Sequence, residues 1–174
     1  MRMTVTAPGR LVCAGRSFRC ALGRGGIVLD KVEGDGGTPA GAWPLRRVLF
    51  RPDRLDLPDT ALPCAEITPD QGWCDDPAHA DYNRQVILPF PASHEKLWRD
   101  DGVYDVIVVL GHNDDPPVPG KGSAIFMHVA RPDFSPTEGC VALALPDLLA
   151  VLASSGPADT VLVTPADTPP ARRK

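Results

Sequence analysis

Proline and glycine limit this chain more than any other feature of it: 20 prolines and 16 glycines stand among 174 residues, about one position in five where about one in eight is ordinary. Proline removes a backbone donor and glycine weakens a helix interior, so few stretches remain long enough for helices. The length suffices for one sizeable core. The pattern therefore predicts a mainly β fold of short strands and turns with one or two short helices, and it argues against a helical bundle. The 18 basic and 22 acidic side chains are dispersed without a block of one sign, which argues against nucleic acid or an anionic membrane as a partner held by charge. No window reaches 18 consecutive apolar residues, so no transmembrane segment is expected, and the polar start Met1 to Gly9 lacks the apolar stretch of a signal peptide.

Along the chain, Arg10-Leu11-Val12-Cys13 and Phe18-Arg19-Cys20-Ala21-Leu22 alternate around a break at Ala14-Gly15-Arg16, the pattern of a β-hairpin. A third short strand is expected at Gly26 to Asp30. The four glycines and one proline between Glu33 and Gly41 predict a tight, shaped loop with no strand or helix. A strand follows at Trp43 to Phe50, and Arg51 to Pro69, broken by four prolines, is expected to be irregular. Trp73 to Pro77 and Tyr82 to Arg84 crowd aromatic and charged groups without periodicity and read as a loop, the kind of segment that often lines a site. Ser93 to Arg99 begins on an N-cap residue and ends on Lys and Arg, which predicts a short helix. Val103 to Leu110 and Ser123 to Ala130 read as central buried strands. Pro146 opens and Gly156 closes a short helix over Asp147 to Ser155. A strand is expected at Thr160 to Thr164, so that 1–164 forms one domain and 165–174 a disordered tail.

His128 ends the second buried strand, and Cys140 follows twelve residues later in Thr137-Glu138-Gly139-Cys140-Val141. A thiol beside an imidazole is the minimum set for acyl transfer through a thioester. Gly139 frees the backbone before the thiol, and amides around such a turn can face an acyl oxyanion. Arg131, Arg84, Tyr82, Asn83, Trp73, Asp75, Asp76 and Thr137 are the candidate substrate-binding residues, arginine being suited to carboxylates and aspartate to ammonium groups. His112 is expected to be a loop residue. The five cysteines are an odd number, so at least one is unpaired, and Cys13 and Cys20 could face each other across the hairpin. No spacing matches a metal-ligand pattern, and neither metal nor cofactor is expected.

Two blocks carry a resemblance. Gly36-Gly37-Thr38-Pro39-Ala40-Gly41-Ala42-Trp43, and Gly120 to His128 leading to Thr137-Glu138-Gly139-Cys140-Val141, resemble the L,D-transpeptidase catalytic domain, or YkuD-type family, over roughly Arg10 to Thr164. The resemblance implies a mixed β-sandwich or barrel in which Cys140 attacks a peptide carbonyl of a peptidoglycan stem. His128 would act as base, and amides near Gly139 and Cys140 would act as oxyanion donors, with transfer of the acyl group to the amine of another stem. Glu138 stands where relatives carry histidine, Ala142 where they carry Asn or Arg, and the stretch from His128 to Cys140 is shorter than theirs. As a compact chain without a peptidoglycan-binding module it looks closer to the branch making 1,3 links, from L-Ala to diaminopimelate, than to the 3,3 linkers, and Ala142 fits the smaller, less polar pocket that an L-Ala acyl group needs.

Hydrolysis of the same bonds, by an L,D-endopeptidase, carboxypeptidase or amidase, would use the same residues. A catalytically silent peptidoglycan-binding domain would not need both Cys140 and His128. The partners expected are therefore peptidoglycan stem peptides, met by a monomer. The expected location is the periplasm or cell wall, although the absence of a visible signal leaves a cytoplasmic location open.

Overall fold

A computed structural model describes residues 2–165. In chain order the strands are β1 (Arg2–Thr6), β2 (Arg10–Cys13), β3 (Arg16–Ala21), β4 (Ile27–Val28), β5 (Thr38–Pro39), β6 (Gly41–Phe50), β7 (Cys64–Glu66), β8 (Gln71–Cys74), β9 (Gln85–Ile87), β10 (His94–Lys96), β11 (Val106–Leu110), β12 (Phe126–Val129), β13 (Val141–Leu143) and β14 (Thr160–Thr164). The helix α1 (Leu145–Leu152) precedes β14.

Strands pair in the order β11-β12-β13-β3-β2-β1-β14-β6, and β6 pairs back onto β11, which closes a barrel. The closure depends on β6: its first half pairs with β14 and its second half with β11. A separate sheet, β10-β8-β9, forms a second layer.

Strand alternation sorts the side chains into two cores. Val48, Val106, Val108, Met127, Val141 and Leu143 point inward and meet Met3, Val5, Leu11, Phe18, Val161 and Val163 from the rest of the ring. Leu148, Val151 and Leu152, spaced i, i+3, i+4, give one face of α1 to this same core. Their alternates Leu49, Ile107, Val109 and Phe126 point outward and are covered by Trp73, Leu97, Val103 and Tyr104. The unbroken apolar run Val106–Leu110 is explained by burial on both sides.

Several sequence expectations are corrected. Ser93 to Arg99 is not helical: His94–Lys96 pairs with β8, and Leu97 alone is fully buried. The Ser93 cap and the basic end are local preferences that tertiary pairing overrides. Only one helix occurs among the described residues, and it starts at Leu145, since Pro146 fits the first turn, and stops at Leu152. The irregular stretches contain short strands, β5 paired with β4 and β7 paired with β6, and Trp73 lies on β8. Strand β1 was not anticipated. Cys13 pairs with Arg16, so Cys13 and Cys20 do not face each other, and among the described residues no disulfide joins any of the five cysteines. The expected tail falls, after Pro165, outside the described residues.

Candidate active site

Strands β12 and β13 run parallel, with His128 beside Ala142 and Met127 beside Val141. Cys140, the residue before β13, therefore lies level with Phe126 and shares the outward face of Phe126 and His128. Cys140 and His128 are diagonal neighbours on that face, with Cα atoms roughly 8 Å apart on ideal strand spacing. Both are buried. The thiol donates to Ala124 O (3.2 Å) and accepts from Phe126 N–H (3.4 Å).

The turn ahead of Cys140 is held by the glycine-rich segments. Thr137 Oγ1 donates to Cys140 O (2.7 Å) and accepts from Gly139 N–H (3.2 Å). Thr137 also pairs with Gly23, whose own N–H donates to Thr38 Oγ1 (2.8 Å). Gly139 has φ +134°, and a Cβ there would lie 2.8 Å from Gly37 O. Glycine is thus required at Gly139 twice over, by conformation and by contact. The Thr38-Pro39 block supports the cysteine turn from behind, through Gly23. Glu138 is exposed and pairs with Arg24 (2.9 Å).

His128 Nδ1 lies 2.9 Å from Val129 O. A carbonyl only accepts, so Nδ1 carries the proton and Nε2 keeps a free lone pair. The ring meets Tyr104 edge to face at 5.3 Å. Burial lowers the imidazole to about 4, against a smaller opposing pull from its bond to Val129. Burial likewise pushes the Cys140 thiol up to about 12, with Glu95 adding to the rise and the Phe126 amide opposing it. Both groups are therefore neutral at rest.

A cleft of about 310 Å³ opens onto Cys140, lined by Glu33, Asp75, Glu95, Glu138, Arg99, Arg131, Tyr104, Ser123 and Ala124 among others. Glu95 accepts from Tyr104 OH (2.8 Å), and burial raises its carboxyl despite that bond. Asp75 Oδ1 is buried without a hydrogen-bond partner among the described residues. Arg131 approaches Asp101 at 3.8 Å.

Of the expected substrate-binding residues, the cleft brings together Arg131 and Asp75. Thr137 is buried in the turn, and Tyr82 is buried with its OH donating to Glu33 and accepting from Gly122 N–H. Asn83 holds Trp73 Nε1 and Ala124 N–H on its Oδ1. Trp73 and Arg84 line a different cleft, and Asp76 caps the Ala78 amide. His112 is buried after β11 and donates from Nε2 to Lys121 O (3.0 Å), a loop-fastening position as expected. Ala142 is buried beside His128 and does not line the cleft. Glu33, Glu95, Arg99 and Tyr104 were not anticipated in the cleft. Their chain positions, in a loop, in a supposed helix and at a strand's start, carry no local signal of convergence.

A closed β-barrel that sets a thiol and an imidazole on one covered outer face, beside a charged cleft, defines the class of domain. The family model described as the L,D-transpeptidase catalytic domain, YkuD, matches residues 2–163, and the chain belongs to that family. No curated protein and no solved structure matches the chain. Members of this enzyme family act on peptidoglycan stem peptides.

Proposed function

We propose that this chain is a peptidoglycan L,D-transpeptidase with Cys140 as nucleophile and His128 as base. One observation carries the reading: Cys140 and His128 share a face, and the bond from Nδ1 to Val129 O leaves Nε2 as the acceptor nitrogen. Because both groups are neutral at rest, the thiol proton passes to Nε2 as sulfur attacks the stem-peptide carbonyl, with no standing ion pair. The Gly139 amide is held by Thr137 Oγ1, so the backbone N–H of Cys140 itself receives the oxyanion. Collapse breaks the C–N bond, the imidazolium returns its proton to the departing amine, and a thioester remains on Cys140. The amine of a second stem then attacks the thioester, gives its proton to His128, and releases the cross-linked product and the thiolate, which His128 reprotonates.

The mixed charge of the cleft supports a diaminopimelate residue as one of the two reacting partners. Its carboxylate is matched to Arg131 and its ammonium to the unpartnered Asp75 Oδ1. The 1,3 preference rested on a smaller, less polar pocket at Ala142, a side chain that does not reach the cleft. Diaminopimelate supplies the acceptor amine in a 1,3 link and both partners in a 3,3 link, so the charged lining is compatible with either. With such a substrate, the location we propose is the periplasm or cell wall. The test is incubation of the protein and of Cys140→Ala with purified disaccharide-peptide fragments, followed by mass analysis. Cross-linked dimers from the parent and none from Cys140→Ala are expected. Turnover by Cys140→Ala would overturn the mechanism, and products shorter by hydrolysis alone would replace transfer with a peptidase.

A further inference from the structure

A second cleft, of about 410 Å³, lies on the same outer face of the barrel and takes no part in the mechanism above. Register links the two. Arg47 pairs with Val109, Val109 pairs with Phe126, and Phe126 lies level with Cys140. Since Val48 points into the barrel, Arg47 points out, as Cys140 does. Arg47 and Cys140 are therefore the two ends of one transverse row across four adjacent strands. Three strand spacings put them about 14 Å apart, the reach of about four residues of extended peptide.

Trp73 stands over the middle of this row, with its ring 5.0 Å from that of Phe126 and 5.7 Å from the guanidinium of Arg47. It divides the surface into the cleft at Cys140 and the cleft at Arg47.

The charge balance at the Arg47 end is incomplete. Three guanidiniums line it, and Asp114 is the carboxylate on its wall. Asp114 is taken by Arg46, in a two-bond pair of 2.8 and 3.1 Å. Arg47 is partly buried, donates from NH2 to Gln85 Oε1 (3.1 Å), and has no carboxylate within 4.0 Å among the described residues. Burial lowers its affinity for the proton, with no counter-charge to offset the cost. Arg84 is exposed beside it and makes no ion pair or side-chain hydrogen bond among the described residues. A partly desolvated guanidinium with most of its donors unused, next to a second free one, matches an oxyanion that accepts several N–H bonds at once.

We propose that Arg47 and Arg84 form an oxyanion-binding subsite that takes a carboxylate of the same extended peptide whose carbonyl is presented to Cys140. This rests on the reading of Cys140 as the nucleophile. It also assigns a role to Arg84, a substrate-binding candidate that the Cys140 cleft leaves out.

The experiment is calorimetric titration of a purified stem tetrapeptide into the Cys140→Ala protein, and into the same protein carrying Arg47→Gln or Arg84→Gln, with inorganic phosphate as competitor. The tetrapeptide Kd is expected to rise about tenfold with each arginine replaced, the usual worth of one charge-assisted bond. Phosphate is expected to weaken peptide binding to the parent and not to the arginine variants. An unchanged Kd in both variants overturns the subsite, and so does a failure of the tetrapeptide to bind Cys140→Ala. Arginine-dependent phosphate binding with an unchanged tetrapeptide Kd also overturns it, in favour of a site for free anions. Arg84 is exposed, so Arg84→Gln reads the subsite even where Arg47→Gln does not fold. Failure of the nucleophile assignment is seen separately, as turnover by Cys140→Ala.

Discussion

The wall formed by β6, β11, β12 and β13 has two faces built on opposite terms. On these four strands the inner face is aliphatic: valine, leucine and methionine from each of them in turn, with one side of α1 added. The outer face mixes Phe126, Ile107 and Val109 with a thiol, an imidazole and a guanidinium, under a cover of Trp73 and Tyr104. Adjacent residues of the same strands serve the two cores, so Met127 stabilises while His128, next to it, is available for chemistry. The separation lets the barrel tolerate costly groups on its outside, because the inside supplies the stability. It also makes register strict, since a slip by one residue would exchange the faces.

Breaking the outer face should cost activity before stability. Cys140→Ala is expected to abolish transfer, measured by mass analysis of products, with a cooperative melt retained because one buried sulfur carries little of the packing. His128→Ala is expected to lower turnover by about two to four orders of magnitude, the usual worth of a positioned base. A parent-like turnover in that variant would leave the imidazole a purely structural group.

Breaking the inner face should do the reverse. Leu148→Ala, which empties a fully buried site in the barrel core, is expected to destabilise by about 2–5 kcal/mol in denaturant titration. Turnover per folded molecule should stay within about twofold of the parent. A comparable loss of turnover would show that the faces are coupled.

Acid sharpens the comparison further. Burial holds His128 at about 4 when folded, against an ordinary value of 6.5. Between those values the unfolded chain binds more protons, so the contribution is complete above pH 6.5 and is lost as pH falls towards 4. The size is on the order of 3 kcal/mol. Stability against pH should lose much of this slope in His128→Asn and keep it in Leu148→Ala. The smallest effect is expected at Ala124, held at φ +52° by Asn83 while its carbonyl accepts the Cys140 thiol. Ala124→Gly relieves that left-handed conformation and should stabilise by about 0.5 kcal/mol in the same titration.

The parts of this arrangement that are written locally could be read from the chain. The hairpin β2–β3, the run that becomes β11 and the strand Thr160–Thr164 announce themselves by alternation or by β-branched residues. Cys140 and His128 stand out because their types and spacing name a chemistry. What could not be read depends on distant pairing. Strand β1 holds only Met3 and Val5 as buried apolar residues, and its partner β14 lies at the other end of the sequence. His94–Lys96 carries good helix-start chemistry, and only its pairing with β8 makes it a strand. Glu95 and Tyr104 meet at the cleft because β10, which carries Glu95, and the turn ahead of β11, which carries Tyr104, belong to different layers. Trp73 and Asp75, two positions apart, look like one group in the sequence, yet they line different clefts.

The place of β14 in the ring has a consequence for how the protein is made. That strand enters between β1 and β6, bonded in parallel to one and antiparallel to the other. A ribosome delivers β1 and β6 long before it delivers Thr160–Thr164, so both edges wait open while everything between them is synthesised. The barrel cannot close around the nascent chain; it closes after the last strand has left the exit tunnel. Until then the unpaired edges are open to any neighbouring strand, and a message truncated ahead of β14 would yield a chain that carries both His128 and Cys140 with no closed wall to hold them.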